Sequence, residues 1–290
     1  MANIDHIMPQ PFVIPIYWGS DYDTHRNVTS ALHKLVVALV TGPFMNNLAQ
    51  YGVRRGTVNA PIVIDDLHPP NTLVWTDANN NFVDEITPHL MSWIDAGVVP
   101  PVAQGDVNQL YLIIPPPVTT LLYYKSEKDR IGNGVQAWHN EGRVRSGLPS
   151  CYWAIVKAND VGPISTINAV QTFVDNLGPK ISHELVEQFV DRDGSFEEIG
   201  DPCLGRHPQP YRGWTVEQYH SDWDTSPANP CGCVNGDDPV SLRKFLSAVG
   251  FDSAQGLRAL GMPDIGVDSI AVYMQSRSAN PPILPKGCYG

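Results

Sequence analysis

The chain has 290 residues, enough for one large domain or two small ones and for a sizeable core. Its formal net charge of -11, with no basic stripe, excludes a reader of phosphate backbones, because nucleic-acid affinity depends on clustered Lys and Arg. No run approaches the ~20 apolar residues of a membrane span, so no membrane partner is expected.

Phe12 to Trp18 (FVIPIYW) is apolar and β-rich, which predicts a buried strand ending at Gly19. Asp23 or Thr24 is placed to cap a helix running to about Val40, with Val28, Leu32, Leu35, Val36 and Leu39 on one face. Gly42-Pro43 breaks it, and PFMNNLAQYG reads as a second helix closed by Gly52. Ala60 to Ile64 predicts a strand, Asn81 to Ala96 a helix, and Gln109 to Ile114 and Cys151 to Ala158 two further strands. Ile164 to Leu177 reads as a helix stopped by Gly178-Pro179, after which Ile181 to Val190 starts another.

Beyond Cys203 turn formers and aromatics dominate, with helical stretches at Pro239 to Val249 and Ser253 to Leu260 and a strand at Ile270 to Met274. No linker divides the chain. A single domain over 1–290 is expected, with its core over about 12–203 and a loop-rich and helical portion over 204–290. Cys231-Gly-Cys233 beside Cys203 suggests a disulfide, whereas Cys151 opens an apolar strand and reads as structural.

The stretch KISHELVEQFVDRDGSFEEIGDPC carries the chemistry. Seven carboxylates, Glu184, Glu187, Asp191, Asp193, Glu197, Glu198 and Asp201, crowd around His183, with only Lys180 and Arg192 to oppose them. On a helix, His183, Glu187 and Asp191 are spaced by four and project together, while Ile181, Leu185, Val186, Phe189 and Val190 form the opposite, apolar side. Like charges four apart repel, so such a stripe calls for a compensating cation or for ordinary solvation.

His-Glu-x-x-Glu differs by one residue from the His-Glu-x-x-His zinc helix, in which the first Glu is a general base. On that pattern His183, Glu187 and Glu198 ligate zinc, Glu184 is the base, and Asp201 orients His183 through its other ring nitrogen. Two carboxylate ligands leave the metal less positive than two imidazoles would, so weaker hydrolysis is expected. Calcium is the competing ion, since Asp191, Asp193 and the following Gly and acids approach the spacing of an oxygen-ligand loop without matching it. His139, in an expected loop, and His207, Tyr211 and His220, in an expected cover over the cleft, are candidate proton donors.

SHELVEQFVDRDGSFEEIGDPC resembles the core of the exordium or phosphate-induced proteins and their bacterial relatives. IPIYWGSD, PFMNNLAQYG, and GVQAWHNEG followed by CYWAIVKA resemble further pieces of that family, so the likeness spans roughly residues 12 to 203. It departs at Arg192, where the family usually has Pro. The resemblance implies an α+β, zincin-like (metallopeptidase-type) twisted mixed sheet packed on an active-site helix, with the edge strand holding substrate antiparallel. His183, Glu184 and Glu187 then match the helix motif, and Glu198 and Asp201 match EIGD. It implies a peptide or protein substrate, or else a non-catalytic growth-related binding protein with a structural calcium or zinc ion. The family is usually secreted, whereas the start MANIDHIMPQPFVIPIYWG lacks the basic and small-residue features of a signal peptide.

Overall fold

A computed structural model describes residues 6–65, 72–74, 84–103, 106–122, 134–135, 137–142, 150–157, 164, 170–192, 199–203, 208–221 and 231–234. Strand β1 (Phe12–Trp18) leads through a short helix α1 (Asp21–Thr24) into α2 (Arg26–Thr41) and a 3-10 helix over Pro43–Tyr51. Next come β2 (Thr57–Val58), β3 (Ile62–Ile64), β4 (Thr72–Val74) and α3 (Ile86–Asp95). Five strands, β5 (Gln109–Ile114), β6 (Thr120–Leu122), β7 (Gly134–Val135), β8 (Ala137–Gly142) and β9 (Cys151–Val156), precede the long helix α4 (Val170–Val190). A 3-10 turn at Asp201–Cys203 follows, then two antiparallel pairs: β10 (Gln209–Tyr211) with β11 (Trp214–Val216), and β12 (Tyr219–His220) with β13 (Cys233–Val234).

The main sheet is mixed. β2 and β3 both pair with β1, and β1, β5 and β9 run parallel side by side. β8 closes one edge antiparallel to β9. Strands covered on both faces need apolar side chains in both directions, which is why FVIPIYW, QLYLII and CYWAIV are nearly unbroken hydrophobic runs. Val13, Tyr17, Leu110, Leu112, Ile114, Tyr152, Ala154 and Val156 meet α2 and α4 on one side. Ile14, Ile16, Trp18, Tyr111, Ile113, Trp153 and Ile155 meet α3 on the other. The protein is therefore α+β in the described region, with a sheet between helical layers.

Several expected boundaries move. Neither Asp23 nor Thr24 caps α2: His25 holds the cap position, and Thr24 Oγ1 donates back to the Asp21 carbonyl at 3.0 Å. The segment carrying His139 is a strand, not a loop. The second helix is a 3-10 helix that ends, as expected, at Gly52 with φ 85°. The expected elements at Pro239 to Val249, Ser253 to Leu260 and Ile270 to Met274 lie outside the described residues. Among the described residues no single helix is long and apolar enough to cross a membrane.

The largest correction concerns Gly178-Pro179, which does not end a helix. α4 runs through it. A proline ring crowds the carbonyl four residues back and forfeits one helical bond, a cost of about 3 kcal/mol in an isolated helix. Here Phe173, Val174, Leu177, Ile181, Leu185, Val186 and Phe189 are all buried in one core, and that packing outweighs the local preference. Gly178 has a separate use. It lets the backbone of β11 lie directly on α4, because a Cβ there would collide with the Thr215 carbonyl oxygen.

Gly178→Ala should therefore overpack this contact and destabilise the protein by about 1–3 kcal/mol. Thermal unfolding checks it: a lowered Tm is expected, and an unchanged Tm contradicts the contact.

Candidate metal centre

α4 supplies the first residues of the site. Its C-terminal half faces the sheet, the 3-10 turn at Asp201–Cys203 and the segment after β11 together, so a single helix face meets three other elements. Glu184 and Glu187 are buried, at 5% and 2% exposure, and His183 keeps 12% of its side chain exposed. Their spacing brings His183 Nε2 to 3.1 Å from Glu187 Oε2.

Asp201 completes one group. Its Oδ1 lies 3.8 Å from the same His183 nitrogen, and donor atoms of His183, Glu187 and Asp201 all fall within 4.8 Å of one another. Zinc with bonds of about 2.0–2.2 Å and tetrahedral angles places its donors roughly 3.3–3.6 Å apart. The two His183 separations lie on either side of that range by a few tenths of an ångström, so the three residues are placed where they could hold a metal ion.

The other oxygen of Glu187 is held by main chain. Oε1 accepts from the N–H groups of Gly200 at 3.1 Å and Asp201 at 3.2 Å. Gly200 must be glycine for this, since a Cβ would stand 2.7 Å from both Glu187 Oε1 and His183 Nδ1. Here the Gly of EIGD has a physical reason: the returning chain lies flat against an imidazole and a carboxylate.

His139 reaches the site from β8. It pairs directly opposite Ala154, which faces α4, so its side chain takes the same side of the sheet while Trp138 takes the other. His139 Nδ1 is 2.8 Å from Glu184 Oε2 and 3.7 Å from Glu187 Oε2. With Glu184 ionised, the ring nitrogen donates. His139, Glu184 and Glu187 form a second group of converging donors that shares Glu187 with the first.

The sequence-predicted residues divide clearly. His183, Glu184, Glu187, Asp201 and His139 converge. Glu198, Asp193 and His207 lie outside the described residues. Asp201 stands on the Nε2 side of His183, and the opposite ring nitrogen, Nδ1, faces Glu217 Oε2 at 3.5 Å instead. Asp191 is buried at 1% exposure at the end of α4, where its N–H bonds the Glu187 carbonyl. Tyr211 has a structural use: its hydroxyl accepts the Phe44 N–H at 2.9 Å and donates to the Ala38 carbonyl at 3.3 Å. His220 is fully buried, with Nδ1 2.7 Å from the Cys231 carbonyl oxygen. Glu217 went unread in the sequence because nothing local marks it; only the fold of β11 against α4 brings it to His183.

The electrostatics are unbalanced. Glu184, Glu187, Asp201 and Glu217 outnumber the two imidazoles by two charges, even with both rings protonated. Arg192 turns elsewhere, donating to the Ile7 carbonyl at 2.9 Å and lying over the Tyr152 ring. Burial alone would drive the His183 imidazole down, but the Glu187 carboxylate, with Glu217 and Glu184, more than offsets this and holds it well above its ordinary value. Burial would raise Glu187, yet His183 and His139 bring it below the usual carboxylate range. Burial and the charge of Glu187 push Asp201 up.

Cys203 and Cys233 form a disulfide that ties the Asp201–Cys203 turn to β13, beside His220. The expected disulfide is thus present among the described residues, and Cys151 is a buried free thiol. No family model, no curated protein and no solved structure matches the chain.

With its pKa raised, the metal-free His183 ring holds its proton more firmly than an ordinary histidine and must lose it to ligate. Zinc binding should release protons from this ring, and affinity should climb as pH rises towards the ring's pKa. Calorimetric titration in buffers of different ionisation enthalpy reads the release directly. In the metal-free protein, stability from the His183–Glu187 pair is complete below the unfolded histidine's pKa and falls as pH rises through the raised one. It also falls in acid, as pH drops through the lowered Glu187 pKa. Urea midpoints across the pH range test both limbs; a flat profile contradicts the pairing.

Proposed function

We propose that this chain is a zinc-dependent hydrolase of peptide or related amide bonds, built on a zincin-like fold. The observation that carries the reading is the convergence of His183 Nε2, Glu187 Oε2 and Asp201 Oδ1 on one partly buried, over-acidic point, with Glu184 next to His183 on the same helix. The mixed sheet with its antiparallel edge strand β8 beside α4 agrees with such a fold.

His183, Glu187 and Asp201 hold the ion. When bound, zinc supplies a Lewis acid that polarises the scissile carbonyl and brings water towards a pKa of ~7. Glu184 accepts the proton of the attacking water, and His139 keeps the Oε2 atom of that carboxylate in place. Glu184 then passes the proton to the leaving amine. Gly200 and Asp201 N–H groups fix the Glu187 carboxylate through Oε1, so Oε2 needs little reorganisation. On β8, no strand pairs the edge away from β9 among the described residues, and an extended peptide has backbone groups to match that edge.

The second reading is a non-catalytic protein with a structural calcium ion, favoured by the excess of carboxylates. An imidazole nitrogen in the donor set argues against it, because calcium takes oxygen ligands. Two carboxylate donors to zinc also favour slow turnover.

Purified protein should contain about one tightly held zinc per chain by elemental analysis. Glu184→Gln should retain that zinc and lose at least 100-fold in turnover of a peptide library, the usual worth of a general base. Calcium without zinc, or turnover unchanged in the variant, sinks the hydrolase reading.

A further inference from the structure

Resting on the zinc site above, we infer that Glu217 is the positioning residue that fixes His183 for metal binding, by accepting the Nδ1–H of its ring. A ligating imidazole uses one nitrogen for the ion, and the hydrogen bond of the other sets its tautomer and tilt. Nε2 is the nitrogen turned towards Glu187 and Asp201. Nδ1 is buried and makes no hydrogen bond, with Glu217 Oε2 facing it 3.5 Å away. A shift of about half an ångström brings that pair to ordinary hydrogen-bond distance.

Glu217 is held for the task. It directly follows β11, the strand whose backbone lies on Gly178 of α4. Its own N–H donates to Ser182 Oγ at 2.8 Å, and Ser182 Oγ donates to the Pro179 carbonyl at 2.8 Å. Two residues later, the Tyr219 hydroxyl donates to the Phe44 carbonyl, and His220 N–H bonds the Ile199 carbonyl. Glu217 therefore sits on a braced segment, 8% exposed, anchored to Ser182, the residue that precedes His183 on α4. Desolvating an acid at that depth is costly unless a cation or donor faces it, and the His183 ring does.

The test combines affinity with a direct view of the ring. Glu217→Ala should weaken zinc binding 10–100-fold, measured by competition with a chromophoric chelator. Glu217→Gln, whose amide oxygen still accepts from Nδ1–H, should recover most of that loss, which a merely structural contribution of the carboxylate does not predict. Nitrogen-15 spectra of the metal-free protein should show a protonated, hydrogen-bonded His183 Nδ1 in the wild type that loses its hydrogen-bond shift in Glu217→Ala. Unchanged zinc affinity in the Ala variant overturns the inference. So does a wild-type His183 Nδ1–H that shows no hydrogen-bond shift, a measurement that stands even if the Ala variant does not fold. A wild-type protein that binds no zinc defeats the hydrolase reading and the metal-positioning role of Glu217 together, whereas a zinc-binding protein whose Ala variant keeps its affinity defeats the inference alone.

Discussion

Glu187 is gripped at both oxygens, and the arrangement of the site follows from that. Oε1 takes two main-chain N–H groups from the returning loop; Oε2 faces His183 from its own helix and His139 from the sheet. A carboxylate at 2% exposure is costly unless each lone pair has a donor or a cation, so three separate pieces of chain must arrive together for it to be tolerated. The same requirement explains the glycine at position 200. Any side chain there would push the loop away and leave Oε1 without partners in a dry site.

The excess of acid around this carboxylate also separates the competing ions. A purely oxygen-lined pocket would point to a hard cation, but the exposed edge of the His183 ring puts a nitrogen among the donors. The imidazole and the acids hold one another in check without metal, through opposite pulls on their proton affinities. An incoming dication would replace the proton on His183 and relieve the repulsion among the carboxylates in one step. The site is in this sense preorganised by its own frustration.

The parts legible in the sequence were those set by short-range rules. Runs such as QLYLII fix a doubly covered strand to the residue, and helical periodicity puts His183 and Glu187 on one face. The return of the EIGD segment towards that face was expected from the acids clustered after the helix, and its Gly200 and Asp201 do reach Glu187. What escaped depended on distant chain. AWHNEG contains no alternation strong enough to announce a strand, and it becomes one by pairing with β9. Gly-Pro looks like a helix end until a buried core runs along both sides of it. Glu217 lies thirty-four positions beyond His183, in a stretch whose local composition says only that the chain turns.

The cross-link between Cys203 and Cys233 has an outcome for how the protein must be made. It closes a segment with a sequence separation of 30, worth roughly 3–4 kcal/mol by the chain-entropy account, and one of its ends is two residues from Asp201. Production in a thiol-rich cytosol would leave this clamp open and the Asp201 turn held by its remaining contacts, among them the Glu187 carboxylate on the Gly200 and Asp201 N–H groups. A metal site that included Asp201 would then have one of its donors on a less constrained turn, so an oxidising folding route is the condition under which this corner of the fold is complete.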